Sequence, residues 1–585
     1  MNINAPEAQS GLQEATRWLQ DLTAALAARD KDATAALFVA DGYWRDILAL
    51  TFDIRTFAGA ATIADAILGT GPAYQPAAMT LEAETLQAFS RKRIGPSIEA
   101  FFKFETEIAA CRGHLRLRRD TDGRWRAWTL FTVIEELKGH EEMSGAHRPV
   151  VTAPEHGRFG EWLTADQHAR KYEHEDPDTL VIGGAQTGLV LAARLGALGI
   201  GTLVIEKEPR VGDVWRNRYQ SLVLHNQIWA NHFPFMPFPT TWPVYITKDQ
   251  LAEWLEDYQR AMSIAVWTST TLTGSSYDEA TGRWTVTLRR GDGTTRTLHP
   301  RNIVLATGVF GGPRRIEIPY ADRFAGKIVY AAEYSGGDSV AGKRVLVVGS
   351  GSSAHDISQE LNAQGAKVTM LQRGSTTVVS LEPGAAIPYA IYSEDGLPVE
   401  EADMISNSIP FPVLHELHKD MQKQIAELDR DLIAALNAKG FATDDGDEGS
   451  GFLMKFFRHG GGYYINVGTS DLIVNGQIAV HHGAEIAGTD GTTVEFSDGI
   501  SAQFDMIVVA CGYRNMQETV RDIFGSEVAD KVGPIWGLDD EGELRNMWKR
   551  TGQRGFWIAG GSLQQNRSFS RYLALQIKAA AVGLV

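Results

Sequence analysis

Cysteine is nearly absent from this chain of 585 residues, which holds only Cys111 and Cys511. The two form no CxxC pair, so the sequence builds neither a dithiol redox centre nor a cysteine-rich zinc site, and no metal is expected. Positive charge is also scarce. Lys and Arg number 56 against 72 Asp and Glu, a formal net charge of −16. That balance argues against a nucleic-acid partner or an anionic membrane, since both favour a basic face. No apolar run reaches the roughly 20 residues of a membrane-spanning helix. Met1 to Leu22 lack the basic stretch and apolar core of a secretory signal, and a cytoplasmic protein is expected. Hydrophobic content of 44% and charged content of 22% are ordinary for a globular chain. Its length exceeds what one core supports, and about three or four domains are expected.

What the chain does have is two glycine turns in matching settings. The first is Gly183-Gly184-Ala185-Gln186-Thr187-Gly188, after the β-branched run Thr179 to Ile182 and before a helix expected over Leu189 to Leu198. The second is Gly349-Ser350-Gly351-Ser352-Ser353-Ala354, after Arg344 to Val348 and before a helix over His355 to Ala363. Strand, glycine turn and helix in that order form the βαβ phosphate cradle of dinucleotide sites. Gly183 permits the bend, Gly188 lets helix and strand approach, and the free N–H groups at the helix start face a pyrophosphate. Ala185 stands at the middle glycine of the pattern.

The next strand of each unit reads the ribose. Thr202 to Ile205 ends in Glu206, followed by Lys207. A carboxylate there accepts from ribose hydroxyls and repels a 2′-phosphate, so the first site reads as FAD or NAD. Lys367 to Leu371 ends instead in Gln372-Arg373, with Ser375 and Thr376 close by. A guanidinium matches phosphate oxygens in pairs, so the second site reads as NADP. The alternative is that Arg373 is a solvated surface arginine. Two nucleotides on one chain suggest hydride transfer between them.

Residues 1–145 carry no such turn. Leu12, Ala15, Leu19, Leu22 and Leu26 mark a helical stripe, and Ala100 to Ala109, Cys111 to Arg118 and Trp125 to Ile134 alternate like strands. Helices followed by long hairpin strands suggest an α+β cone, and the stretch resembles nuclear-transport-factor-2-like domains, including polyketide cyclases. Arg45, Asp46, Asp53 and His114 would line its pocket or, on the plainer reading, form ion pairs and satisfied polar groups. The domain is read as an interface or a wall of the active site. A linker is expected over 146–176. The fold class is therefore α/β, with two nested Rossmann-like domains preceded by an α+β cone. The first nucleotide domain spans 177–335, the second 336–505, and the chain returns to the first over 506–585. The second contains a helical insertion, amphipathic over Pro412 to Ala438, with an acidic loop at Asp444 to Ser450.

From Pro177 onward the chain resembles the flavin-containing monooxygenases, the group that includes auxin-forming and Baeyer–Villiger enzymes. Gly212-Asp213-Val214-Trp215-Arg216 resembles the flavin-contacting GGxWR loop. Leu305-Ala306-Thr307-Gly308 and Val509-Ala510-Cys511-Gly512-Tyr513 resemble the two ATG strands joining the nucleotide domains, with Cys511 in place of threonine. Gly349 to Asp356 resembles the NADP turn, and Gly560-Gly561-Ser562-Leu563-Gln564 the late segment beside the flavin ring. Phe324 to Tyr334 resembles FxGxxxHxxxY, with Tyr330 in place of histidine. The extra amino-terminal domain points to the type II subgroup, which accepts NADH as well as NADPH.

This resemblance implies FAD reduced by NADPH, addition of O2 to give a peroxyflavin, and oxygenation of an amine, a sulfide or a ketone. His225 aligns best with the family's asparagine, with Asn226 one step later. The imidazole would donate to the peroxide, or else His225 is a structural neighbour of the ring. Arg216 would contact the flavin or its phosphate, or form a plain salt bridge. Trp215, Trp229, Phe233 and Phe235 would wall the substrate space or, on the plainer reading, belong to the core, and Asn566, Arg567 and Arg571 lie where an arginine would stabilise negative charge. Two other classes stay open. One is a flavin oxidase or reductase that makes hydrogen peroxide. The other is an interaction protein with vestigial nucleotide sites. The partners expected are a small-molecule substrate and O2, and a homodimer is left open.

Overall fold

The computed structural model describes residues 5–91, 95–150, 172–334, 336 and 339–585. Most of the expected linker lies outside them. Two five-stranded parallel sheets position the site. In the first, the strands run Ala265–Trp267, Thr202–Ile205, Thr179–Ile182, Asn302–Leu305, Phe556–Ile558 across the sheet. Thr179–Ile182 and Thr202–Ile205 are buried along their whole length. Helices cover such sheets, which is why their strands read as unbroken aliphatic runs rather than alternating ones. Helix Gln186–Ala197 packs against helix Leu563–Ala581, so the last segment of the chain completes the layer begun by the first glycine turn.

The second sheet runs Lys327–Tyr330, Met506–Val509, Arg344–Val348, Lys367–Gln372, Ile478–His482, again all parallel. Two of these strands fall outside the expected span 336–505. Lys327–Tyr330 lies before it and Met506–Val509 after it. Met506–Val509 is buried throughout and pairs on both edges. An interior parallel strand needs a neighbour on each side, which local sequence does not reveal. The two parallel sheets are joined where Phe310–Pro313 pairs antiparallel with Tyr513–Asn515.

The amino-terminal part is a seven-stranded sheet, built mainly on Phe38–Ile47, Trp125–Leu137, Ala109–Arg119 and Gly95–Glu105. Helix Ala5–Ala27 buries Ala15, Trp18, Leu19, Leu22 and Leu26 in the core. Asp46 is fully buried. Its carboxylate accepts from the Thr51 amide at 2.8 Å and the Thr132 hydroxyl at 2.5 Å, and burial pushes its pKa up to about 6. Asp53 caps its own turn by accepting from the Ile54 amide at 2.8 Å. Arg45 and His114 face the rest of the chain.

The helical insertion lies between Thr377–Ser380 and Tyr463–Asn466, which pair with each other. The expected single amphipathic stretch is broken into Phe411–Leu428 and Arg430–Ala438. The break has a cause: Asp429 turns inward and accepts from the Ser380 amide at 2.8 Å.

Candidate functional site

At the first turn Gly183 has φ +111°, and a Cβ there would lie 2.5 Å from the Ala306 carbonyl oxygen. A Cβ on Gly188 would lie 2.0 Å from the Gly183 carbonyl oxygen. The turn therefore exists only with glycine at both positions. Glu206 is buried at the end of the next strand. Its carboxylate accepts from the Gly184 amide at 2.7 Å and from the Glu208 amide at 2.9 Å, so it braces the turn it was expected to serve. Lys207 extends into solvent, 3.6 Å from Glu208.

Other segments converge on this turn. The Trp215 indole donates to Gln186 Oε1 at 3.0 Å, and the Thr187 hydroxyl donates to Asn566 Oδ1 at 3.1 Å. Gly560 packs so closely on Gly308 that a Cβ would lie 3.2 Å from its backbone. Gly308 and Gly512 both have positive φ and open space where a side chain would sit. Val214 is exposed. Gly561, at φ +132°, leads into a capping box closed by Ser562 and Gln565, one residue after Gln564.

The second turn opens onto a cavity of about 650 Å³, lined by Gly349 to Ser353, Arg373, Gly374, Ser375, Cys511 and Gly512 among others. Gly349, at φ +127°, would place a Cβ 2.4 Å from the Ala510 carbonyl oxygen, whereas Gly351 has nothing nearer than 3.9 Å. Gly349 thus serves the fold, and Gly351 leaves room for a ligand. Helix Ser352–Ala363 starts here, with Ala354 fully buried beneath it. Gln372 is committed to the backbone of Ala442, donating and accepting there. Arg373 is exposed and pairs with Glu485 at 3.1 Å.

A family model described as pyridine nucleotide-disulphide oxidoreductase matches residues 180–388. The chain is 30% identical over 394 residues to indole-3-pyruvate monooxygenase YUCCA1 of Oryza sativa subsp. japonica, spanning 66% of this chain and 86% of that protein. It belongs to the flavin-containing monooxygenase family. The fold is similar to that of oxidized steroid monooxygenase bound to NADP, with TM-score 0.51 and 19% identity over 70% of this chain and 85% of that one. It is also similar to a cyclohexanone monooxygenase mutant from Rhodococcus sp. Phi1 bound to NADP+, with TM-score 0.50 and 17% identity over 70% and 86%. The protein is an FAD-dependent, NADP(H)-using monooxygenase built on two Rossmann-type sheets.

The residues present fit both groups. Glycines that no Cβ can replace shape the first cradle, and an open Gly351 with a neighbouring arginine shapes the second. In this monooxygenase several expected side chains are otherwise engaged. Arg216 is gripped by Glu256 and by Asp213 at 3.0 Å, so its charge is spent holding the loop. Arg567 is buried against Asp403 with bonds of 2.6 and 2.7 Å, which neutralises it and removes it as a free stabiliser of negative charge. Arg571 donates to the Glu135 carbonyl. Phe233 is core, packed edge-on to Tyr258 at 5.1 Å, and Phe235 lies on the outer surface under Arg194. Trp229 packs on the buried cluster of Ala230 with Tyr392 and Ala402 of the insertion.

His225 is half-buried. Burial holds its pKa below the ordinary 6.5, opposed by the charge of Asp356, so the imidazole is neutral at neutral pH. Asp356 itself is buried and raised by burial. Its Oδ2 accepts from the Tyr219 hydroxyl, while Oδ1 has no hydrogen-bond partner among the described residues. Asp356 stands in the second turn, and its nearness to His225, 131 residues earlier, is carried by no local sequence signal. Asn226 is hydrogen-bonded by Tyr389 and accepts at its carbonyl from Asn231. Tyr330 ends the edge strand of the second sheet, with Arg315 stacked 4.6 Å from its ring centre. Among the described residues no cluster is arranged for a metal, and no helix is long and apolar enough to cross a membrane.

Proposed function

We propose that this monooxygenase delivers one oxygen atom of O2 to a small ketone or to an amine or sulfide, with His225 and Asn226 at the reacting centre. The observation that carries this reading is the pairing of two cradles. One is an acid-braced turn at Gly183 to Gly188 with Glu206. The other opens at Gly351 beside Arg373. Bound FAD would supply the two-electron chemistry that links the nicotinamide to O2. The protein's part is to hold both nucleotides and exclude water. A ketone is the first candidate, since the similar YUCCA1 is named for a 2-oxo acid. The amino-terminal sheet is proposed as the nuclear-transport-factor-2-like extension of the type II subgroup. Two free thiols support a reducing, intracellular setting. A product screen by mass spectrometry against cyclic ketones, 2-oxo acids, sulfides and amines, with NADPH and NADH in turn, tests the reading. Peroxide as the sole product in every case would move the protein to the oxidases.

Arg373 is the proposed contact for the 2′-phosphate. Arg373→Ala should raise the Michaelis constant for NADPH on the order of tenfold, the low end for losing a charge-assisted bond because the site is solvated. The constant for NADH should hardly move. Equal shifts for both coenzymes would show that Arg373 does not meet the phosphate.

His225→Ala should leave reduction by NADPH nearly intact, because the hydride needs no help from this side chain. Peroxide release should rise and product fall, since a donor positioned at developing charge is lost. Because burial lowers the pKa of His225, a change in the product-to-peroxide ratio that follows its protonation should fall on the acid side of the ordinary imidazole range. An unchanged ratio in His225→Ala would make His225 a bystander, and Asn226 would be tested next.

A further inference from the structure

Among its contacts with the rest of the molecule, the amino-terminal domain meets a short helix of the insertion, Val399–Asn407, and the loop Asp539 to Glu543. Arg45 makes a bidentate pair with Glu543, both bonds 2.7 Å, and both side chains are nearly buried. Its remaining amino group donates to the carbonyl of Asn407. The Thr56 hydroxyl donates to Glu543 at 2.7 Å, and Arg116 donates to the carbonyl of Ser408 at 3.3 Å. Two guanidinium groups thus cap the carbonyl end of the helix, where its dipole favours cations. Val39 and Trp128 pack on Val413 beside them.

One turn back along the same helix sits Asp403. It accepts two bonds from Arg567 and one from the Tyr392 hydroxyl at 2.8 Å. The other amino group of Arg567 donates to the carbonyls of Ala230 at 2.9 Å and His232 at 2.8 Å. Those carbonyls end the loop that carries His225 and Asn226, and Tyr389 of the insertion meets Asn226 directly. A buried, bidentate ion pair is stiff because either partner alone is costly to leave uncompensated.

We propose that the amino-terminal domain is a positioning element for oxygenation. It seats helix Val399–Asn407 through Arg45 and Arg116, and the helix fixes the His225–Asn226 loop through Asp403 and Arg567. Arg45 and Asp403 are positioning residues that touch no reacting atom. The proposal rests on the reading of His225 and Asn226 given above, and it assigns the extension a task other than binding substrate.

The test uses the full-length protein. All the bonds described for Arg45 lie outside its own domain, so Arg45→Met leaves that domain's interior untouched. FAD content and the rate of flavin reduction by NADPH should match the wild type. Peroxide release in air with NADPH and no added substrate should rise on the order of tenfold, the scale of a small misplacement at a reacting centre. Hydrogen exchange followed by mass spectrometry should show faster exchange in 226–238 than in the sheet strands. Arg45→Lys, which keeps the charge but not the bidentate geometry, should restore both in part. Asp403→Asn should produce the same two changes, and the double variant should be no worse than either single one. Wild-type exchange in 226–238, unchanged peroxide release, additive effects, or uniform loosening that lysine does not rescue would each overturn the proposal. A wild type that takes up no flavin would overturn the underlying reading as well.

Discussion

Gly188→Ala should yield protein without flavin, or none that stays soluble. The added Cβ would sit 2.0 Å from the Gly183 carbonyl oxygen and 3.2 Å from Val181 Cγ1. The first obstacle is backbone, so no rotamer change relieves it, and overpacking against fixed atoms costs about 3 kcal/mol or more. The strand, the turn and helix Gln186–Ala197 must then separate, which destroys the cradle before any ligand arrives. Gly351→Ala is the matched control, because its Cβ would have 3.9 Å of clearance from the nearest atom, the Tyr463 carbonyl oxygen. That variant should fold and keep its yellow flavin while binding NADPH more weakly, since only the coenzyme needs the space. Absorbance at the flavin band and NADPH titration distinguish the two. A fully flavinated Gly188→Ala would show that the first turn does not hold FAD.

Asp403→Ala should be the most destabilising change outside the glycine turns. It leaves the guanidinium of Arg567 buried with two backbone carbonyls and no counter-charge. Breaking a buried pair this way costs about 3–5 kcal/mol. The temperature at which flavin is released, followed by its fluorescence, should fall by roughly 10 °C. The Tyr392 hydroxyl also loses the nearer of its two acceptors, Asp403 and Ser406, so Tyr392→Phe should reproduce a small part of the effect. An unchanged release temperature would mean that Asp403 is not needed to hold Arg567. Asp403→Ala together with Arg567→Met, which removes both charges, should recover much of the loss.

Much of this was legible in the sequence because its causes are local. A positive φ at Gly183 or Gly349 and the clash at Gly188 involve residues within one strand–turn–helix unit. The α/β class followed from aliphatic runs that only a covered parallel sheet buries. The amino-terminal stripe of Ala15, Leu19, Leu22 and Leu26 followed from helical period alone. Charge and cysteine content limited the partners without reference to shape.

The tertiary structure decided which side chains are free. Arg216 and Arg567 carry the same guanidinium as Arg373, yet Glu256 and Asp403 hold them in largely buried pairs, whereas the pair of Arg373 with Glu485 is exposed to solvent. Phe233 and Phe235 are two residues apart, but one is core and the other surface, because the backbone turns at Phe235, where φ is +65°. Likewise the sheet claimed Lys327–Tyr330 and Met506–Val509 from beyond the expected domain limits. Sequence by itself determined the two nucleotide turns, whose physics is steric and short-range. Only the fold decided the neighbours of His225 and the bridge from Arg45 to Arg567, because burial and ion pairing depend on what distant segments bring.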